Sequence, residues 1–143
     1  MDSIRTLLVD DSQEFLHAAS QFLSGDPTIE IIGKYHSTIE ALEQVGNLNP
    51  DLILMDLAMP DINGLEATQL IKDRVDAPRV IILTMHDNPE YRQASQAVQA
   101  DGFVAKSNFG LELVPMIKEI FKDHLKVNGQ RTAKRMNKVK RAR

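Results

Sequence analysis

The sequence predicts an α/β sandwich, in which helices cover both faces of a five-stranded parallel sheet. Apolar runs of strand length alternate five times with segments of helical periodicity. The runs at 52–55 and 80–83 (LILM and VIIL) are apolar at every position, as expected of central strands that are buried on both faces. A chain of 143 residues is long enough to form one such domain with its own core.

Five strand–helix units follow one another without an internal repeat. We predict strands at 4–9, 29–35, 52–56, 80–84 and 102–105, and helices at about 15–23, 38–47, 65–74, from 89 onward, and at about 111–125. Ser12 is the expected N-cap of the first helix. Pro115 lies inside the fifth helix, so we expect that helix to start late or to bend near Leu111. The expected strand order is 2-1-3-4-5.

Composition excludes several classes of protein. There is no cysteine, so the chain has no disulfide framework, thiolate metal site or cysteine nucleophile. No apolar run approaches the length of a membrane span, and the N-terminus does not resemble a signal peptide. These features predict a cytoplasmic protein without a membrane contact.

The net charge of −3 hides an asymmetry between an acidic body and a basic tail. We place the domain at 1–126 and the tail at 127–143 (VNGQRTAKRMNKVKRAR), where almost every charge is positive. The tail is too polar to bury a core, so we expect it to be flexible. It reads either as a solvated linker or as an electrostatic arm for nucleic acid or an acidic partner.

Carboxylates follow two strands that we expect to be neighbours in the sheet. Asp10 and Asp11 come directly after the first strand, and Asp56 closes the third. Ligands of open α/β sheets bind beyond the carboxyl ends of the strands, where the strand order reverses. Singly, each acid could be a helix cap or a turn residue. Together, three oxygen ligands without histidine or cysteine favour a Mg²⁺ site that attracts a phosphoryl donor.

Two further polar residues fall on the same edge of the predicted sheet. Thr84 ends the fourth strand and Lys106 follows the fifth. Taken alone, they are a β-favouring threonine and a surface lysine. Beside the acids, a hydroxyl and an ammonium are suited to hold the oxygens of a phosphoryl group during its transfer.

This pattern resembles the receiver domains of bacterial response regulators, over residues 4 to about 125. The motifs are Asp10-Asp11, Asp56-Leu57-Ala58-Met59-Pro60 with Gly64, Thr84 and Lys106. The stretches DLILMDLAMPDINGLEA and VIILTMHDN are most similar to receivers that carry a LuxR-type helix-turn-helix. Only 18 residues follow Leu125, so we expect no such output domain in this chain. The implied fold is the flavodoxin-like sheet of order 2-1-3-4-5.

The resemblance implies a role for each acid. Asp56 is the phosphate acceptor. Asp11, Asp56 and the backbone carbonyl of Ala58 ligate Mg²⁺, and Asp10 acts largely through metal-bound water. The phosphoryl donor is a histidine kinase, a phosphotransfer protein or a small molecule such as acetyl phosphate. We expect no enzymatic activity beyond the chain's own phosphorylation and dephosphorylation.

The resemblance also implies a switch. Lys106 pairs with the acceptor and later with the phosphoryl oxygens, while Thr84 binds a phosphoryl oxygen and moves. Phe103 is the switch aromatic, which turns inward when Thr84 moves. The signal then passes to a protein target through the fourth helix, fifth strand and fifth helix, and a homodimer is a further option.

Several departures and alternatives remain open. Ala58 and His86 occupy positions that tune dephosphorylation in the family, and Met85 is larger than the usual residue there. The chain could instead be the receiver fragment of a DNA-binding transcriptional regulator, or a module that binds nucleic acid or protein through its tail. An aspartyl-phosphate hydrolase is disfavoured because Ala58 stands where that chemistry needs a second aspartate.

Overall fold

A central sheet of five parallel strands organises the part of the chain that the computed structural model describes, residues 3–123. The strands are β1 (Ile4–Val9), β2 (Ile29–Tyr35), β3 (Leu52–Asp56), β4 (Arg79–Thr84) and β5 (Gly102–Ala105). They lie in the order β2-β1-β3-β4-β5, which confirms the predicted fold class and strand order. The strand order reverses between β1 and β3, so these two strands flank the expected ligand crevice.

Five helices connect and cover the strands, and each begins within two residues of its predicted start. They are α1 (Gln13–Leu23), α2 (Thr38–Leu48), α3 (Gly64–Lys72), α4 (Pro89–Ala97) and α5 (Phe109–Ile120). The first four begin at a side chain that accepts a hydrogen bond from the amide three residues ahead: Ser12, Ser37, Asn63 and Asn88. The predicted N-cap of α1 is therefore confirmed.

The core consists of two apolar layers, one on each face of the sheet. Alternate residues of β3 point to opposite faces, and all five of its residues are buried. One layer packs the strands against α1 and α5, and the other packs them against α2 and α3. The central apolar runs are buried on both sides, as their composition predicted.

The expectation that α5 starts late was wrong. The helix begins at Phe109, after a 3-10 turn at Lys106–Asn108, and Pro115 lies inside it. Proline has no N–H for the carbonyl of Leu111, but Leu111 is 81% exposed, so this turn of the helix faces solvent. The predicted end near Leu125 and the basic tail at 127–143 lie outside the described residues.

The fourth helix is held to the sheet by little apolar contact. Ser95 is its only buried residue, and the Ser95 hydroxyl donates to the backbone carbonyl of Arg92 at 2.8 Å. Tyr91 packs against the core, but its side chain is only partly buried. Burial of apolar area supplies most of the stability of a surface helix, so α4 is the helix most easily displaced.

Candidate functional site: an acidic crevice at the carboxyl edge of the sheet

Three carboxylates meet where β1 and β3 end. Asp10 follows β1 and Asp56 closes β3, and these strands pair in register as far as Val9 and Met55. One oxygen of each of Asp10, Asp11 and Asp56 lies within 4.8 Å of the other two. The structure therefore brings together the three acids that the sequence singled out.

The Asp10 carboxylate is nearly inaccessible and only half satisfied. The residue is 2% exposed, and its Oδ1 accepts a hydrogen bond from the Ser12 amide at 2.9 Å. Its Oδ2 is buried and accepts no hydrogen bond of good geometry from the described residues. The Lys106 ammonium lies 2.5 Å from this oxygen, as an ion pair rather than a well-directed hydrogen bond. A buried oxygen in this state favours binding of a cation.

Lys106 supplies positive charge to the crevice from the end of β5. Its Nζ lies 3.4 Å from Asp56 Oδ1, in addition to the contact with Asp10. The same ammonium lies 4.4 Å from the centroid of the Phe15 ring, within cation–π range. The ring and the two acids together hold the lysine over the crevice, although its side chain is long and otherwise flexible.

The surroundings of Asp56 make its carboxyl a weaker acid than usual. Burial is the largest cause, followed by the charge of Asp10, and together they raise the pKa of Asp56 from 3.8 to about 6. Lys106 opposes this rise, and the charge of Asp11 adds a small part of it. Desolvation and a like charge therefore outweigh the one cation present.

An open cleft of about 340 Å³ gives access to these groups. Its size suits a phosphoryl group and a hydrated ion rather than a large cofactor. The cleft is lined by Asp10, Asp11, Ser12, Phe15, Asp56, Ala58, Met85, His86 and Lys106.

The donor set fits a hard divalent cation. The cluster offers three carboxylates and neither histidine nor cysteine, and one buried oxygen of Asp10 has no hydrogen bond. Such ligands suit Mg²⁺, which binds through one or two carboxylates and keeps several waters. Three acids facing one lysine also leave an excess of negative charge that a divalent ion would neutralise.

A tight turn positions the segment after Asp56. The Gly64 amide donates to the Leu57 carbonyl at 2.8 Å, which closes the loop at its base. A Cβ at Gly64 would lie 2.3 Å from the Asp56 carbonyl oxygen and 2.9 Å from the Leu57 Cα. Only glycine permits this approach of two backbones, so Gly64 fixes the loop that carries Ala58 into the cleft.

Thr84 stands at the predicted edge, but its hydroxyl is already engaged. The residue is fully buried at the end of β4, and its Oγ1 accepts a hydrogen bond from the His86 amide at 3.0 Å. Thr84 is not among the residues that line the cleft, whereas Met85 and His86 are. Met85 is 74% exposed and stands at the mouth of the cleft. The Thr84 hydroxyl still has its own proton to donate, but a phosphoryl contact would require it to move, because Thr84 does not line the cleft.

Phe103 lies away from the cleft, in the layer between the sheet and α4. The ring is 8% exposed, and the Arg92 guanidinium covers it at 4.6 Å from the centroid. Arg92 is in turn held by two contacts with the Asp87 carboxylate, at 2.7 and 3.2 Å. The ring thus occupies an inward position while the Thr84 hydroxyl bonds to the backbone of its own loop.

Sequence reasoning missed three residues near the site. Phe15 reads as a core position of α1 and Ser12 as a helix cap, yet both line the cleft. Asp61 reads as part of a turn, but its carboxylate accepts hydrogen bonds from the start of α2. The position of Phe15 one turn after the acidic pair was a usable signal, whereas nothing local indicated the contacts of Asp61.

A match to a protein family identifies the kind of domain that carries this crevice. The model of the response regulator receiver domain matches residues 6–118, which includes all five strands apart from the first residues of β1. This chain belongs to the response regulator receiver family. Its fold and its acidic crevice agree with that assignment, and it is a two-component receiver of the kind that the sequence motifs suggested.

The relatives of this receiver are response regulators. It is 31% identical over 139 residues to the response regulator protein VraR of Staphylococcus saprophyticus, covering 96% of this chain and 66% of that protein. It is 30% identical to the transcriptional regulatory protein DegU of Brevibacillus brevis, covering 83% of this chain and 50% of DegU. The receiver therefore spans between half and two thirds of the length of these relatives.

A solved structure supports the same assignment. The crystal structure of a LuxR-family two-component response regulator from Aurantimonas sp. SI85-9A1 matches with a TM-score of 0.80 and 29% identity. The match covers 85% of this chain and 86% of that one. The suggested similarity to LuxR-type regulators is therefore confirmed. Among residues 3–123, no helix is long and apolar enough to cross a membrane.

Proposed function

We propose that this receiver accepts a phosphoryl group on Asp56 from a phosphohistidine of a sensor kinase or phosphotransfer protein, in a Mg²⁺-dependent reaction. One observation carries the proposal: Asp56 is a buried carboxylate with a pKa of about 6, beside Asp10, Asp11 and Lys106. At neutral pH this group is mostly ionised and is therefore a competent nucleophile.

The transfer forms one bond and breaks another at phosphorus. An Asp56 oxygen forms the O–P bond of an acyl phosphate, while the P–N bond of the phosphohistidine breaks and the imidazole keeps the electron pair. Asp11, Asp56 and the Ala58 carbonyl would hold Mg²⁺, with Asp10 acting largely through metal-bound water, and the bound ion would supply positive charge for the phosphoryl oxygens. Lys106 lies 3.4 Å from Asp56 and adds a second cation. The chain turns over no other substrate.

Phosphorylation then changes the output surface. Thr84 moves away from the His86 amide and binds a phosphoryl oxygen. The Phe103 ring, which the Arg92 guanidinium covers, then changes its position. The α4-β5-α5 face carries the change to a protein target or a second copy of the chain, and weakly held α4 suits this role. Ala58, Met85 and His86 line the cleft and set the lifetime of the phosphoryl group.

The relatives support a second, broader proposal. DegU is a transcriptional regulatory protein about twice the length that this chain covers. By analogy, this receiver serves as the input part of a cytoplasmic transcriptional regulator. In that case residues 127–143, which lie outside the described part, link the receiver to a DNA-binding unit or contact nucleic acid directly.

Phosphorylation by acetyl phosphate tests the assignment of Asp56. We expect the intact protein to gain the mass of one phosphate when Mg²⁺ is present, and to gain none in EDTA. Asp56→Asn should abolish the gain, because an amide cannot form the acyl phosphate. The measurement is intact-protein mass spectrometry at neutral pH.

A matched control separates the acceptor from acids in general. Asp26→Asn changes a partly buried carboxylate that pairs with Lys118 and caps the turn before β2, at the opposite edge of the sheet. This variant should label like the unaltered protein. Normal labelling of Asp56→Asn would refute the assignment.

A further inference from the structure

The loop between β3 and α3 (residues 57–63, here the acceptor loop) is attached to a helix that is distant in sequence. Asp61 Oδ2 accepts a hydrogen bond from the Ile39 amide at 2.9 Å and from the Ser37 hydroxyl at 3.0 Å. Asp61 Oδ1 accepts from the Thr38 amide at 3.3 Å. A carboxylate from one loop thus binds the first amides of α2, where the helix dipole also favours negative charge.

A second contact strengthens this attachment. The Thr38 hydroxyl, on a fully buried residue, donates to the Ile62 carbonyl at 2.8 Å. The Gly64 amide closes the other end of the loop onto Leu57. Ala58 therefore lies in a short loop that is fixed at its base by glycine and at its far end by α2.

We propose that Asp61 is a positioning residue for the Mg²⁺ site: by fixing the acceptor loop to the start of α2, it holds the Ala58 carbonyl in the geometry that the metal needs. The inference rests on the proposed function, which makes the Ala58 carbonyl a metal ligand. Asp61 itself does not line the cleft, so it acts through the loop and not on the ion.

The physical reason is preorganisation. A backbone carbonyl binds a metal well only if its loop already holds the binding geometry, because ordering the loop otherwise costs conformational entropy. Groups that orient metal ligands typically contribute about 10–100-fold to metal affinity. The Asp61 side chain is exposed, so its replacement leaves the core intact and the effect can be measured in a folded protein.

Mg²⁺ titration of the full chain tests the proposal. Asp61→Ala should weaken Mg²⁺ binding about tenfold, measured by calorimetry and checked with Mn²⁺ by water-proton relaxation. Asp61→Asn keeps one acceptor oxygen, so its Mg²⁺ affinity should lie between that of Asp61→Ala and that of the unaltered protein. Without metal, hydrogen exchange of the amides at 57–63 should become faster in Asp61→Ala.

Asp26→Ala is the matched control. Asp26 also accepts from a backbone amide and a hydroxyl, both of Thr28, at 2.9 and 2.7 Å, but it lies at the other edge of the sheet. Its loss should lower stability while the Mg²⁺ affinity stays unchanged. A merely structural role for Asp61 predicts the same result for Asp61→Ala.

The outcomes distinguish the two proposals. Unchanged Mg²⁺ affinity in a folded Asp61→Ala, with normal binding by the unaltered protein, overturns the positioning role alone. Failure of the unaltered protein to bind Mg²⁺ overturns both the proposed function and this inference. Loss of affinity together with faster exchange only at 57–63 supports the positioning role.

Discussion

Acidic side chains stand at both edges of the sheet, and the two edges satisfy them in opposite ways. At the amino edge, an aspartate precedes each of three strands, and each one accepts a hydrogen bond from a backbone amide. The pairs are Asp26 with Thr28, Asp51 with Arg5, and Asp101 with Val80. At Asp26, the hydrogen bond from the Thr28 side chain is the largest cause of a lowered pKa.

At the carboxyl edge the acids share too few partners. Asp10 and Asp56 compete for the single ammonium of Lys106, and one oxygen of Asp10 has no hydrogen bond among the described residues. Burial and the neighbouring acid raise the pKa of Asp56, the reverse of what happens at Asp26. The two edges use the same residue type, but the acids differ in burial and in their partners.

The contrast separates structural acids from reactive ones. A carboxylate that accepts hydrogen bonds from amides of its own fold stabilises that fold. A carboxylate buried among like charges lowers the stability of the folded protein. Binding of a cation or a proton restores that stability. Burial differs as well, since the Asp10 and Asp56 side chains are 3% and 6% exposed and the Asp101 side chain is 16% exposed.

Removal of Asp101 should have the largest effect on stability. Its carboxylate binds Lys72 Nζ at 2.9 Å, Arg79 Nη1 at 3.3 Å and the Val80 amide at 2.8 Å. Asp101→Ala leaves the Lys72 ammonium, only 15% exposed, without its counter-ion. We expect a loss of about 3 kcal/mol in the free energy of unfolding, measured by urea denaturation in EDTA.

The same variant should leave the carboxyl edge unaffected. Mg²⁺ affinity should equal that of the unaltered protein, and Asp101→Asn, which can still accept from Val80, should lose less stability than Asp101→Ala. Weaker Mg²⁺ binding in a folded Asp101→Ala would mean that the two edges are coupled, against the division drawn above.

Most of the fold was predictable because it depends on local patterns. The fully apolar runs of β3 and β4 identified the centre of the sheet, and polar caps such as Ser12 marked helix starts. The start of α5 was mispredicted because Pro115 is tolerated inside the helix, one turn after the exposed Leu111, and only the folded structure reveals this exposure. Local pattern identifies elements, and tertiary context decides their ends.

The site was predictable only where residues lie at strand ends. Asp10, Asp11 and Asp56 could be placed together because parallel strands end at one edge. The bonds of Asp61 join residues 22 to 24 apart, and no periodicity marks such a pair. The hydrogen bond from the His86 amide to the Thr84 hydroxyl was equally unpredictable, because it depends on the path of the loop after β4.

The pH dependence of stability tests the unsatisfied state of the carboxyl edge. The pKa of Asp56 in the folded protein, about 6, exceeds its ordinary value of 3.8, so the folded chain binds this proton more tightly than the unfolded one. The stability from this proton is complete below about pH 4 and is lost as pH rises through about 6. In metal-free protein, Asp56→Asn should therefore become more stable than the unaltered protein over that range.

A rise in pKa from 3.8 to about 6 corresponds to about 3 kcal/mol at neutral pH. Water in the open cleft screens part of the charge, so we expect a difference on the order of 2 kcal/mol. Urea denaturation in EDTA at several pH values measures it, and the gap should stop growing above about pH 7, where Asp56 is fully ionised. Saturating Mg²⁺ should shrink the gap, because the ion stabilises the carboxylate. A gap that narrows as pH rises from 4 to 6 would contradict the raised pKa.

The smallest predicted effect concerns how the two buried acids influence each other. The charge of Asp10 is the second cause of the raised pKa of Asp56, after burial. Asp10→Asn should therefore lower the pKa of Asp56 from about 6 towards its ordinary value. Carbon-13 NMR of the aspartate carboxyls in metal-free protein measures the shift.

Asp11→Asn is the matched control, since it removes one charge from the same chain segment. Asp11 is exposed and contributes least among the groups that shift the pKa of Asp56, so this variant should move that pKa much less than Asp10→Asn does. Water screens an exposed charge, whereas the Asp10 charge acts through the protein interior. Equal shifts in the two variants would mean that water reaches Asp10 as freely as Asp11, and the contrast between the two edges would lose its electrostatic basis.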